Sequence, residues 1–205
     1  MCRVFVIDDE KNHYDVYPHI LEESGFEVFA TKNAFKLIRY APELKPELYV
    51  VNSDMYDIDY NNLVEHLVIN HFTDNAPLVV MYANNKKIWH TGVSHYLHKP
   101  DEHKELPKIA QAYCGGGGKY DVLLIDDLIP TNNSKDISIN SLNISYFNVH
   151  DVKAAKKFIE RNTINAVAVH CEAEKYDKIK KYLGFDNTFY VENITNVKDL
   201  ISFIK

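Results

Sequence analysis

Cysteine, glycine and proline are scarce in this 205-residue chain, at three, seven and seven. The three cysteines (Cys2, Cys114 and Cys171) are an odd count without a Cys-x-x-Cys pair, so the sequence predicts neither a disulfide framework nor a zinc knuckle. So few glycines and prolines exclude collagen-like or low-complexity material. No apolar run approaches the ~18–20 residues of a membrane span, and Met1-Cys2-Arg3-Val4-Phe5 leads directly into a strand-like run, which predicts no signal peptide. A cytoplasmic address is the expectation that remains. Basic charge is short as well. Residues 1–114 carry 11 Lys and Arg against 17 Asp and Glu, and residues 115–205 carry 12 against 12. Neither portion has the positive excess that binding a phosphate backbone requires, so no nucleic-acid partner and no membrane partner is expected.

What the chain does hold is apolar mass: 46% of residues are hydrophobic and 12% aromatic, enough for a core and too much for a disordered chain. Four of the seven glycines stand together at Gly115–Gly118. Residues without side chains add nothing to a core and flex freely, so a domain boundary is expected there, with domains 1–114 and 119–205 on either side. Before it, short apolar runs without polar alternation (Arg3–Asp8, Glu27–Thr31, Leu48–Ser53, Leu78–Ala83, Ser94–Lys99) alternate with segments of helical period. Those segments are Asn12–Ser24, Ala34–Leu44, Asn61–Phe72, a short one at Lys86–His90 and Glu102–Tyr113. Strands of this kind are covered on both faces, and five such units predict an α/β fold, a doubly wound parallel sheet of five strands. After the boundary the rhythm returns in shorter form. Strands are expected at Tyr120–Asp126, Ile144–Val149, Asn165–His170 and Thr188–Glu192. Helices are expected after Asp151 (with Val152, Ala155 and Ile159 inward), over Ala173–Leu183 and over Val197–Ile204. The polar stretch Thr131–Asn143 falls where a first helix would stand. The second domain is expected to be a smaller α/β relative of the first.

In open α/β sheets the site lies beyond the carboxyl ends of the strands. There the first domain carries Asp8-Asp9-Glu10, Asn52-Ser53-Asp54, Tyr82-Ala83 and Lys99-Pro100. Oxygens from two strand ends suit a hard cation such as Mg2+, and an ammonium from a third completes a phosphate pocket.

At these residues the sequence resembles the receiver domains of two-component response regulators. The resemblance is carried by Val6-Ile7-Asp8-Asp9-Glu10, by Pro46–Asn52 followed by Tyr56-Asp57-Ile58-Asp59, by Pro77–Ala83 and by Tyr96-Leu97-His98-Lys99-Pro100. It implies a flavodoxin-like fold in which Asp8 and Asp9 hold Mg2+, Lys99 contacts a phosphoryl oxygen and Tyr96 is the aromatic that reports the active state. It further implies signalling-protein partners and a homodimer through the fourth helix, fifth strand and fifth helix.

Two positions depart from the pattern. The acceptor aspartate falls on Asn52 and the small hydroxyl on Tyr82. An amide is neutral, its nitrogen lone pair is delocalised, and it forms no stable acyl phosphate. Losing a carboxylate also weakens any Mg2+ site, and Tyr82 is bulky enough to fill phosphoryl space. The expectation is a degenerate pocket, a non-enzymatic protein that signals by contact, and at most weak Mg2+ binding at Asp8 and Asp9. The alternative is a working phosphoacceptor at Asp54, since a two-residue shift keeps side-chain parity on a strand, or at Asp126. In the second domain Asp126-Asp127 repeats the acidic pair and His170 falls at the acceptor position. Tyr120–Pro130 also resembles an acceptor segment with Asp126 as nucleophile, so both assignments stand. A third reading is a flavodoxin-like binder of a small ligand. Trp89, the one Trp, serves either as an anchor of its short helix or as part of a partner patch. Neither Gly-x-Gly-x-x-Gly nor Gly-x-x-x-x-Gly-Lys-Ser/Thr nor Gly-x-Ser-x-Gly occurs.

Overall fold

The computed structural model describes residues 2–10, 15–55, 59–74, 76–83, 90–99, 102–128 and 146–192. The expected helices at Lys86–His90 (with Trp89) and Val197–Ile204, the stretch Thr131–Asn143, Tyr56–Ile58 and Pro100 lie outside these residues, wholly or in their greater part. The chain divides into two compact units, Met1–Gly116 and Gly117–Lys205, within the glycine run.

The first unit is a parallel sheet of β1 (Arg3–Ile7), β2 (Glu27–Thr31), β3 (Leu48–Asn52), β4 (Leu78–Tyr82) and β5 (His95–His98). Its strand order is β2-β1-β3-β4-β5, the doubly wound arrangement expected from the alternation of elements. Phe5, Ile7, Tyr49, Val51, Leu78 and Val80 share one cluster with Leu37 and Ala41 of helix α2 (Ala34–Leu44) and Leu63 and Leu67 of helix α3 (Tyr60–Ile69). The alternate residues Val4, Val6, Leu48, Val50, Val79 and Met81 are equally buried and face the other side of the sheet. On that side helices α1 (Val16–Glu23) and α4 (Glu102–Ala110) pack together, burying Tyr17, Leu21 and Leu106. Two covered faces explain why these strands read as continuous apolar runs.

Local signals set the helix ends. Asn33 caps α2, its Oδ1 accepting from the Lys36 amide at 3.2 Å, and Asp59 accepts from the Asn61 amide at 3.0 Å ahead of α3. Helix α3 stops at Ile69, short of Phe72, and Phe72–Asp74 forms a separate 3-10 turn. Helix α4 is likewise shorter than predicted: after Ala110 it widens into a π-helical turn over Gln111–Gly115. Before β5, Gly92 has φ +88°, and a Cβ there would lie 2.6 Å from Val68 Cγ2, so only glycine fits.

One expectation is overturned in this unit. Cys2 and Cys114 are joined by a disulfide, while Cys171 is a buried free thiol. An odd cysteine count excludes a fully paired framework but not one pair, and the fold brings the start of β1 against the turn after α4.

The second unit is a four-stranded parallel sheet of β6 (Lys119–Asp126), β7 (Tyr146–Val149), β8 (Thr163–His170) and β9 (Thr188–Tyr190), in the order β7-β6-β8-β9. It repeats the first four positions of the other sheet. Helix α5 (Val152–Arg161) is capped by Asp151, which accepts from the Ala154 amide at 2.8 Å. Its buried residues are Ala154, Ala155 and Phe158, so the stripe is rotated from the predicted Val152, Ala155 and Ile159. The Phe158 ring sets the rotation by stacking on Phe147 of β7 at 4.2 Å between centroids. Helix α6 (Ala173–Leu183) buries Ile179 and Leu183.

Candidate functional site

Pairing of Ile7 with Val51 places Asp8, the residue after β1, beside Asn52, the last residue of β3. Both are fully buried at 0% exposure. Asn52 Nδ2 donates to Asp8 Oδ1 at 2.8 Å, and Asn52 Oδ1 accepts from Lys99 Nζ at 2.9 Å and from the Asp54 amide at 3.0 Å. These partners fix the amide's orientation, because a carboxylate only accepts and an ammonium only donates. Lys99, just past β5 and 8% exposed, also reaches Glu10 Oε2 at 3.0 Å and stands 3.8 Å from Asp54 Oδ2. Asp54 Oδ2 in turn accepts from the Ala83 amide at 2.7 Å. Four strand ends are thereby linked in one network: β1 through Asp8 and Glu10, β3 through Asn52 and Asp54, β4 through Ala83 and β5 through Lys99.

The electrostatics follow from burial. Loss of water pushes the Asp8 carboxyl above the usual carboxylate range. The Asn52 hydrogen bond, the Glu10 amide (2.9 Å) and the Lys99 charge oppose that rise, and the Glu10 charge adds to it. Among the described residues Asp8 Oδ2 is buried without a hydrogen-bond partner. An orphaned carboxylate oxygen beside Asp9 suits a hard cation, so the residues fit Mg2+ through Asp8 and Asp9. Asn52 adds no oxygen to that set, since its Oδ1 is turned to Lys99 and its NH2 faces Asp8.

Several residues sit differently from their sequence reading. β3 ends at Asn52, so Asp54 lies in the following turn and strand parity does not place it; its hydrogen bond to Ala83 does. The Tyr82 ring packs edge-on against His98 of β5, with centroids 5.2 Å apart. Tyr96 Oη accepts from the His90 amide at 2.6 Å and donates to the His90 carbonyl at 3.2 Å. Glu10, to which the strand-end motif assigns no role, is a direct partner of Lys99. Its position one residue past the acidic pair was the available signal.

In the second unit β6 is flanked by β7 and β8, so Asp126 ends the first strand of its sheet, and its register partner is His170. Asp126 Oδ1 accepts from His170 Nδ1 at 2.8 Å, and His150 Nδ1 lies 3.9 Å from Asp126 Oδ2. The Asp126–His170 contact occupies the place that Asp8–Asn52 occupies in the first unit. Burial pushes the Asp127 carboxyl up against the pull of Lys175, with Asp151, Glu172 and Asp126 adding to the rise. Burial, with help from the Asp127 charge, likewise pushes the Cys171 thiol up.

Residues 4–111, just over half of the chain, match the response regulator receiver domain, and the chain belongs to that family. Among solved structures it is similar to the CheY-like receiver domain protein of Methanospirillum hungatei, with 17% identity, a TM-score of 0.50, and coverage of 55% of this chain and 94% of that one. It is also similar to the CheY-like receiver domain of Methylobacillus flagellatus (15%, 0.49, 55% and 98%) and to a receiver domain protein of Clostridium thermocellum (17%, 0.45, 53% and 90%). At these identities the likeness is one of fold. No curated protein matches the chain. No helix among the described residues is long and apolar enough to cross a membrane.

Proposed function

We propose that this protein is a phosphorylation-independent, non-enzymatic signalling component of the cytoplasm, acting through protein–protein contact by a degenerate receiver followed by a smaller receiver-like unit. The observation that carries the reading is the engagement of both ends of the Asn52 amide. Its NH2 is committed to Asp8 and its carbonyl oxygen to Lys99 and the Asp54 amide. An amide so placed bridges the Asp8 carboxyl to the Lys99 ammonium. It offers no carboxylate at the end of β3 to carry a phosphoryl group. The Asp54 carboxylate adds to this, since it already takes the Ala83 amide and faces Lys99, the donors an incoming oxyanion would need.

With no phosphoryl group to shift it, the signalling surface is either held ready or set by a bound partner. A second copy of the chain, docked through β5 and α4, is the partner first to be sought by light scattering. Mg2+ binding at Asp8 and Asp9 is weak on this reading.

The test is the backbone amide spectrum of the full chain with Mg2+ and beryllofluoride, a stable mimic of an acyl phosphate. The expected result is that the Asn52, Ala83 and Lys99 amides keep their shifts. Saturable shifts at these amides, abolished by Asp54→Asn, would establish the phosphoacceptor alternative at Asp54. The same behaviour at the β6 end, abolished by Asp126→Asn, would establish it at Asp126.

A further inference from the structure

We propose that Cys2, Glu47 and Cys114 form a redox-gated site for a thiophilic divalent cation, Zn2+ by its ligand chemistry. The site lies at the end of the first sheet opposite the Asp8–Asn52 pocket. Three separate elements deliver the ligands: Cys2 precedes β1, Glu47 precedes β3, and Cys114 sits in the π-helical turn after α4. The two Sγ atoms and a Glu47 carboxylate oxygen all lie within 4.8 Å of one another, and all three residues are half-buried.

The backbone holds this arrangement in place. The Glu47 amide donates to the Arg3 carbonyl at 2.8 Å, and the Cys2 carbonyl accepts from the Glu27 amide at 2.9 Å. The nearby guanidinium of Arg3 is turned away, toward Glu27 at 3.8 Å and the Leu44 carbonyl. Among the described residues the Glu47 carboxylate has no cation of its own.

Ligand type selects the ion. Mg2+ and Ca2+ take oxygen donors, whereas two thiolates with one carboxylate suit Zn2+ in a tetrahedral site whose fourth position is water. Zn–S bonds of about 2.3 Å place tetrahedral sulfurs roughly 3.8 Å apart. A Cα–Cα distance of 5.5 Å between Cys2 and Cys114 permits this by side-chain rotation alone.

The disulfide and the metal exclude each other. A dithiol reductant supplies two electrons and two protons, breaks the Cys2–Cys114 bond to give two thiols, and closes its own disulfide. Zn2+ then displaces the two thiol protons. In reverse, a small-molecule disulfide takes two electrons from the thiolates, leaves as two thiols after taking up two protons, and frees Zn2+. A cytoplasmic address favours the dithiol. The inference does not depend on the reading of the Asn52 pocket.

The test uses the full chain carrying Cys171→Ala, so that the buried thiol of the second unit does not contribute. Reduced and oxidised samples are equilibrated with Zn2+, desalted and assayed for metal; in parallel the reduced chain takes Co2+, whose thiolate charge-transfer band reports sulfur ligation without relying on a variant. One Zn2+ per reduced chain is expected, none in the oxidised chain, a thiolate–Co2+ band, and affinity lowered about tenfold or more by Glu47→Gln or Cys2→Ser. The proposal is overturned if the reduced chain holds no more Zn2+ than Cys2→Ser, if the Co2+ spectrum lacks the thiolate band, or if Glu47→Gln binds as the parent does.

Discussion

Asp8 and Asn52 meet at the centre of the first sheet's carboxyl end, the Asn52 Nδ2 donating at 2.8 Å to a buried carboxylate. Replacing that amide with an acid sets two carboxylates face to face. Asn52→Asp is therefore expected to destabilise the metal-free protein by about 1–3 kcal/mol, the cost of a buried polar group left without its partner. Mg2+ is expected to recover most of the loss by bridging the two acids. Urea unfolding followed by the fluorescence of the one Trp, with and without Mg2+, reads both effects; equal stability of variant and parent without metal would contradict the role given to the amide.

Lys99 bonds Asn52 and also serves Glu10. Lys99→Met removes a buried cation from two acceptors, and a loss of about 1.5–3 kcal/mol is expected in the same unfolding assay. A change below a few tenths of a kcal/mol would place Lys99 outside the network.

The Asp8 carboxyl titrates above its unfolded value because burial disfavours the charged form. The native state therefore holds this proton to a higher pH than the unfolded state does. Stability contributed at Asp8 is present at acid pH and is lost as pH rises through the folded-state value. Asp8→Asn removes that dependence while leaving other carboxylates as they are. The stability of the parent minus that of Asp8→Asn is expected to fall as pH rises from about 4 toward neutrality, with pKa references as for an unperturbed aspartate. A difference that grows with pH would mean that Asp8 is held charged.

In the second unit, the Asp126 contact at 2.8 Å requires the proton of a neutral His170 on Nδ1 and leaves Nε2 as an acceptor. Long-range proton–nitrogen spectra at neutral pH are expected to show the Nδ1-H tautomer at His170, converting to the Nε2-H form in Asp126→Ala. An Nε2-H tautomer in the parent would dissolve the parallel with Asp8 and Asn52.

Much of this was legible from residue order. The bounds of β2, α2 and α6 follow from apolar period and punctuation, and motif order alone places Asp8, Asn52 and Lys99 at neighbouring strand ends. What escaped depends on register or rotation, which local pattern does not encode. For Asp126 the sequence leaves two assignments open, and the pairing of β6 with β8 in this register is what sets its carboxylate against His170, 44 residues on. Phe158, absent from the predicted stripe of α5, turns the helix because its ring stacks on Phe147. The Cys2–Cys114 bond spans a sequence separation of 112, and a count of cysteines says nothing about which two the closed fold brings together.

The most direct measurement is the intact mass of the full chain after exposure to acetyl phosphate and Mg2+, with Asn52→Asp alongside. The account predicts that the parent mass stays unchanged while the variant, given back an acid at the strand end, gains one acid-stable, base-labile phosphoryl group. A stoichiometric phosphoryl gain by the parent, lost on Asp54→Asn or Asp126→Asn, would contradict it.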